Sequence, residues 1–138
     1  MSINSPPKPH AFVSLPLQSS LEAITNILSE LTPIISQLTT FVSQISDLQI
    51  QSGIEIVVVN GQVDMLVPET MSPEETRTIL NRVKVLIRVS DTQFGTATDM
   101  FMQAEKLVDR IGAKNTPENS QLLQKIREVG RLRDSYPH

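Results

Sequence analysis

Between residues 21 and 45 the apolar residues recur at alternating steps of three and four: Leu21, Ile24, Leu28, Leu31, Ile35, Leu38, Val42 and Ile45. That spacing holds one seam of a helix against other helices. With position a at Leu21, a carries Leu21, Leu28, Ile35 and Val42, and d carries Ile24, Leu31, Leu38 and Ile45. Position g is also apolar, with Ile27, Ile34, Phe41 and Leu48. Position e holds Thr25, Thr32, Thr39 and Ser46. A stripe covering a, d and g is wider than a two-stranded seam needs. It calls for three or more helices, or for a seam plus a second packing surface. No charge sits at e or g, so ion pairs cannot set the register there.

The seam predicts an oligomerising amphipathic helix over 19–52, with these twelve a, d and g residues as the interface and a trimer as the favoured assembly. Ser19 and Glu22 form a capping-box pattern at its start. Pro33 falls at an outer f position, and the heptad phase runs through it from Leu31 to Ile35 unchanged. That continuity argues for one bent helix over a helical hairpin.

Residues 1–18 hold Pro6, Pro7, Pro9 and Pro16. Proline removes a donor and blocks a helix, so an extended arm is expected there. Its apolar residues Phe12, Val13, Leu15 and Leu17 suit docking in the groove of another structural protein.

A β-hairpin is expected over 53–69. Ile54-Glu-Ile-Val-Val-Val, Asn60-Gly61 and Gln62-Val-Asp-Met-Leu-Val-Pro68 follow one another. Asn-Gly between two such runs favours a type I′ turn, because both turn residues take positive φ. The register then sets Val59 against Gln62, Val58 against Val63, Ile56 against Met65 and Ile54 against Val67. A lone hairpin is marginal in water, so this one must pack on helices or join strands of other subunits.

Residues 70–138 read as a three-helix module. Ser72-Pro73-Glu74-Glu75 starts one helix and Ser90 with Gln93 starts a second, which Gly112 stops; Thr116-Pro117-Glu118 starts a third. Gly95 and Gly130 would permit close helix approach, and Asp134 to His138 would fray. The fold class expected is therefore mainly α: a coiled-coil-like first helix, one hairpin, and a C-terminal three-helix module.

The chain offers little chemistry. It has 138 residues, no cysteine and no tryptophan, so a thiolate metal site or a disulfide framework is impossible. His10 and His138 sit in the terminal segments, away from any cleft that general-base catalysis needs. Capping accounts for Glu74 and Glu75. No enzyme activity, metal or cofactor is expected. Arg127 and Arg131 lie one turn apart, near Lys125, Arg133 and Lys114, but Glu118, Glu128 and Asp134 interleave. A solvated helix face explains them better than nucleic-acid binding.

Charge is lopsided. Residues 1–76 hold one base against eight acids, and residues 77–138 hold eleven bases against seven acids. Such asymmetry can steer contacts between neighbouring subunits. The polar, proline-rich start lacks the pattern of a secretory signal. Residues 31–50 are too rich in Ser, Thr and Gln to face lipid, so no membrane segment is expected. Cytoplasm, or a particle such as a virion assembled there, is the expected location.

Together these features predict a non-enzymatic structural or assembly protein, self-associating through its heptad helix, in a multi-subunit particle such as a viral tail, fibre or capsid accessory layer. The other reading is an adaptor or regulatory subunit that pairs the same helix with a different protein.

Overall fold

A computed structural model describes the backbone of residues 9–137 and the side chains of residues 18–137. The elements run α1 (Pro9–Ser52), β1 (Glu55–Val59), β2 (Gln62–Leu66), α2 (Pro73–Ile111) and α3 (Pro117–Asp134). The fold is mainly helical, with the long first helix and the single hairpin that the sequence calls for.

The first helix starts ten residues earlier than its capping pattern indicates. Residues 9–18, expected as an extended arm, have helical backbone. Proline is tolerated where a helix begins, because its missing donor is not needed there, and Pro9 holds that place. Adding turns to an already formed helix is cheap compared with nucleating one. Residues 1–8, and the side chains of Phe12, Val13, Leu15 and Leu17, lie outside the described residues. Pro33 neither breaks the helix nor starts a new one. Its ring and the neighbouring Ser29 and Thr32 face solvent, so water can reach the carbonyl of Ser29, which loses its helical donor.

Helix α2 is one element of 39 residues where two helices were expected. Its buried residues include Val83, Ile87, Ser90, Phe94, Ala97, Phe101, Ala104 and Val108, a run of fours and threes that passes straight through Ser90. A seam that continues on both sides of a capping residue overrides the local preference to start anew. The region after the hairpin therefore contributes two helices, and α1 is the third member of the bundle. Real ends match the capping rules: Ser72 Oγ accepts from the Glu75 amide at 3.1 Å, Gly112 takes φ 64, and Thr116 Oγ1 accepts from the Asn119 amide at 3.3 Å.

The chain folds back on itself twice. Gln93 of α2 bonds to Gln37 of α1, and Lys125 Nζ of α3 donates to Thr32 Oγ1 of α1 at 3.1 Å. Helix α3 begins with Glu118 beside Leu21 and Glu22 and reaches Ile35 and Thr39 with Leu132. It thus runs parallel to α1 and antiparallel to α2, where Leu122 meets Val108.

This packing corrects the expected oligomer interface. Ile24, Leu31 and Leu38 are 0% exposed and Ile45 is 1% exposed within a single chain. Leu28, Ile35 and Val42 are also buried, while Leu21, Ile27, Ile34, Phe41 and Leu48 are half-buried. The wide stripe does want three helices, but the chain supplies all of them. Each fully buried Leu or Ile contributes about 1.5–3 kcal/mol relative to exposure, and the seam cannot be offered to a second chain without giving that up. Facing it, Val83, Ser90, Ala97 and Ala104 of α2 form a column of small or medium side chains, all 0% exposed, into which the larger residues of α1 can settle. Gly95 and Gly130 play no such part: a Cβ at either would meet nothing within 4 Å.

Candidate functional site

Two places stand out once the core is assigned. The first is the hairpin end. Helix α1 stops at Ser52, and Gly53 at φ 65 turns the chain into β1. Asn60 and Gly61 take φ 52 and φ 76, both positive, as a type I′ turn requires. The register places Glu55 opposite Leu66, Ile56 opposite Met65, Val57 opposite Asp64, Val58 opposite Val63 and Val59 opposite Gln62. Three of these five are the expected pairings, and all five follow from a two-residue loop alone; the Ile54–Val67 pair lies beyond the ladder.

One face of the hairpin closes the core. Ile54 and Ile56 are buried, and Val58, Val63 and Met65 pack against them half-buried. The other face carries Glu55, Val57, Val59, Gln62, Asp64 and Leu66. On it Val59 is 56% and Leu66 is 62% exposed, and Ile50 at the end of α1 is 77% exposed. The loop and strand carboxylates Glu55, Asp64 and Glu69 have no base within the same segment. The end of the molecule is therefore apolar in patches and acidic between them.

The second place is the junction where the hairpin tip meets the end of α3. Gly61, Gln62 and Val63 lie beside Lys84, Ile87, Arg88 and Asp91 of α2. On the far side of Asp91 is an open cleft of about 650 Å³ lined by Asp91, Phe94, Gly95, Arg133, Asp134 and Tyr136. Tyr136, expected to fray, is buried instead. Its hydroxyl lies 2.9 Å from the Ile87 carbonyl oxygen and 2.9 Å from Asp91 Oδ1. A single phenol proton is shared between these two acceptors. The ring meets Phe94 edge-on with centroids 5.2 Å apart, and the Arg133 guanidinium lies 4.9 Å above the Phe94 ring.

Burial, then the hydrogen bond to Asp91 and the negative charge of that carboxylate, push the Tyr136 phenol well above its ordinary range. Ser90 opposes this slightly; its wholly buried hydroxyl approaches the phenol without reaching hydrogen-bond geometry to any group. A phenol held protonated in this way is a donor and a clasp, and a poor nucleophile or base. Among the described residues no three His, Cys, Asp or Glu side chains gather closely enough to hold a metal ion. No described helix is long and apolar enough to cross a membrane.

The basic residues of the second half are dispersed. Lys125 is tied to Thr32, Arg133 to Phe94, and Lys114 lies 4.0 Å from Asp109 with both side chains well exposed. The Asp91–Tyr136 clasp is the feature that sequence reasoning missed. A signal for it was present: the heptad count through Ser90 places Phe94 on the seam, and Tyr136 is the one aromatic available to the open end of that seam.

No family model, no curated protein and no solved structure matches this chain.

Proposed function

We propose that this chain is a non-enzymatic structural or assembly protein, a component of a multi-subunit particle, and that it makes its contacts through the outer face of the hairpin. The observation that carries this reading is the exposure of Val59 and Leu66 on a two-stranded sheet, with Ile50 exposed at the adjoining helix end. A lone hairpin is marginal in water, and the outer face of this one leaves Val59 and Leu66 exposed and Val57 half-buried. The heptad seam, being filled from within, is left as the scaffold that presents this face. Particles of the kind meant include viral tails, fibres and capsid accessory layers.

The experiment is the native mass of the full chain beside the double variant Val59→Glu/Leu66→Gln, both checked for helicity. The expected result is a mass above the 15.3 kDa of one chain for the natural sequence, returning to one chain in the variant. A single-chain mass for both across about 1 μM to 1 mM would remove self-assembly from this reading. An assembly that persists in the variant would remove the hairpin face from it.

A further inference from the structure

We infer that the partner at this hairpin is a second copy of the chain, joined edge to edge through β1 to make a closed dimer with a four-stranded sheet. The inference rests on the assembly reading above and names its partner and geometry.

The two edges of the hairpin are not alike. A two-residue turn is closed by a pair that exchanges both backbone hydrogen bonds, here Val59 and Gln62. Alternation then makes Val57–Asp64 and Glu55–Leu66 bonded pairs and turns the amides and carbonyls of Ile56 and Val58 outward from β1. No third strand receives them, the sheet having two strands among the described residues. On the other strand, the outward groups belong to Val63 and Met65. That edge runs beside α2, where Gln62, Val63 and Asp64 share a surface with Lys84 and Arg88, and Pro68 follows it directly. A covering helix, a central acid and a flanking proline are the usual means of blocking a sheet edge. The β1 edge has none of them. It reads Ile-Glu-Ile-Val-Val-Val with a single charge, near one end.

Charge placement selects the partner. In an antiparallel two-fold pairing centred on Val57, the outward groups of Ile56 meet those of Val58 of the second copy, and the reverse, giving four backbone bonds. On the outer face Val57 then lies against its own counterpart, and Glu55 lies against Val59 of the other chain. No acid opposes an acid. The same operation on β2 would set Asp64 against Asp64, which like-charge repulsion disfavours. A β1-to-β2 contact would be head-to-tail and could continue into a filament, but the β2 edge is occupied by α2. Symmetry thus closes at two copies. A five-residue strand pairing is a small interface, so the dimer is weak and concentration-dependent.

The test uses the absence of cysteine in the natural chain. In this register the two Val57 residues form a pair without mutual hydrogen bonds, whose Cα atoms lie about 4.5 Å apart, within disulfide reach. Under mild oxidation Val57→Cys is expected to give a covalent dimer at least tenfold faster than Val59→Cys or Asp64→Cys. Val57→Lys keeps the hairpin, since the new ammonium faces Asp64 of the same chain, but sets two lysines together on the two-fold axis. It is expected to weaken dimerisation roughly tenfold with helicity unchanged. If Val57→Cys cross-links no faster than Val59→Cys, the β1 pairing is wrong; faster cross-linking through Asp64→Cys would assign the other edge. If Val57→Lys leaves the mass unchanged while Val59→Glu/Leu66→Gln reduces it, the hairpin face stands as the contact surface and the edge pairing falls alone. A natural chain that is monomeric throughout overturns the dimer.

Discussion

The α1–α2 groove is closed in two different ways along its length. Over one stretch α3 lies in it, with Leu122 at 0% and Val129 at 5% exposed. Beyond the end of α3 the hairpin takes over, with Ile54 and Ile56 buried. Both covers bury aliphatic side chains on the same pair of helices, and the difference lies in the backbone. A helix satisfies its own donors and acceptors and turns only side chains outward. A two-stranded hairpin leaves a row of backbone groups on each edge. One cover completes the molecule, and the other covers the core while still presenting something to pair with. On the proposed assembly reading, the contact end takes the second kind of cover and the rest of the molecule the first.

The largest effect comes from breaking the groove that both covers share. Leu31 is 0% exposed, and Leu31→Asp places a carboxylate with no partner in an aliphatic core. The expected cost is about 4 kcal/mol or more, enough to abolish cooperative thermal unfolding monitored by circular dichroism. Loss of assembly alone, with the helical signal intact, would mean that the seam is satisfied between chains after all.

One truncation under each cover tells the two apart. Leu122→Ala under α3 and Ile56→Ala under the hairpin each remove a large aliphatic group and should cost about 2–4 kcal/mol. They should differ in reach. Leu122→Ala lowers protection of amides throughout α1 and α2 in hydrogen exchange. Ile56→Ala opens the hairpin first, so the Val57 and Asp64 amides exchange faster while those around Leu31 do not. Equal loss of protection everywhere in both variants would show that the two covers unfold as one unit.

The smallest effect is at the junction between them. Tyr136→Phe removes one hydroxyl and should cost about 1 kcal/mol near neutral pH. The pH dependence carries more information. The phenol is raised above its ordinary value of 10.0 in the folded chain, so the folded state holds its proton more tightly than the unfolded state. Its contribution is fully present below pH 10 and declines as the pH rises past 10, where the unfolded chain gives up that proton first. The natural protein should therefore lose urea resistance as the pH rises above 10 more steeply than Tyr136→Phe. Parallel losses would separate Tyr136 from the alkaline transition. It is the only tyrosine in the chain, so the assignment is unambiguous.

Much of this architecture was legible in the sequence, and the failures share a cause. The heptad stripe, the Asn60-Gly61 turn, the hairpin register, the helix caps at Ser72 and Thr116 and the stop at Gly112 are local signals, and they read correctly. Whether a seam closes within a chain or between chains is not local. The a, d and g residues look the same in both cases, and only the count of available helices distinguishes them. Here that count depended on Ser90. Read as a cap, it split α2 into two shorter helices and made a separate module. Read as one of the small residues facing α1, with Ala97 and Ala104 following at the same interval, it makes α2 long enough to cover the seam. The proline-rich start misled similarly, since the rule that proline opposes helix is weakest at a helix start, where Pro9 lies. The proposed contact face was half visible: the alternation of the strands showed which side was apolar throughout, but the outward placement of Val59 and Leu66 required knowing which face the bundle had taken.

The sparse charge of α1 has a consequence for how the molecule meets its medium. From Leu31 to Ser46 the helix has no ionisable side chain, and Thr25, Thr32, Thr39 and Thr40 turn their hydroxyls back to their own helix carbonyls. Among the described residues the one ion pair is Lys114–Asp109, at the limit of contact and open to water. Along this stretch of α1 there is almost nothing for dissolved ions to screen. A shape held by aliphatic contact and backbone bonding keeps its stability from dilute buffer to brine, and salts that strengthen apolar burial would tighten it.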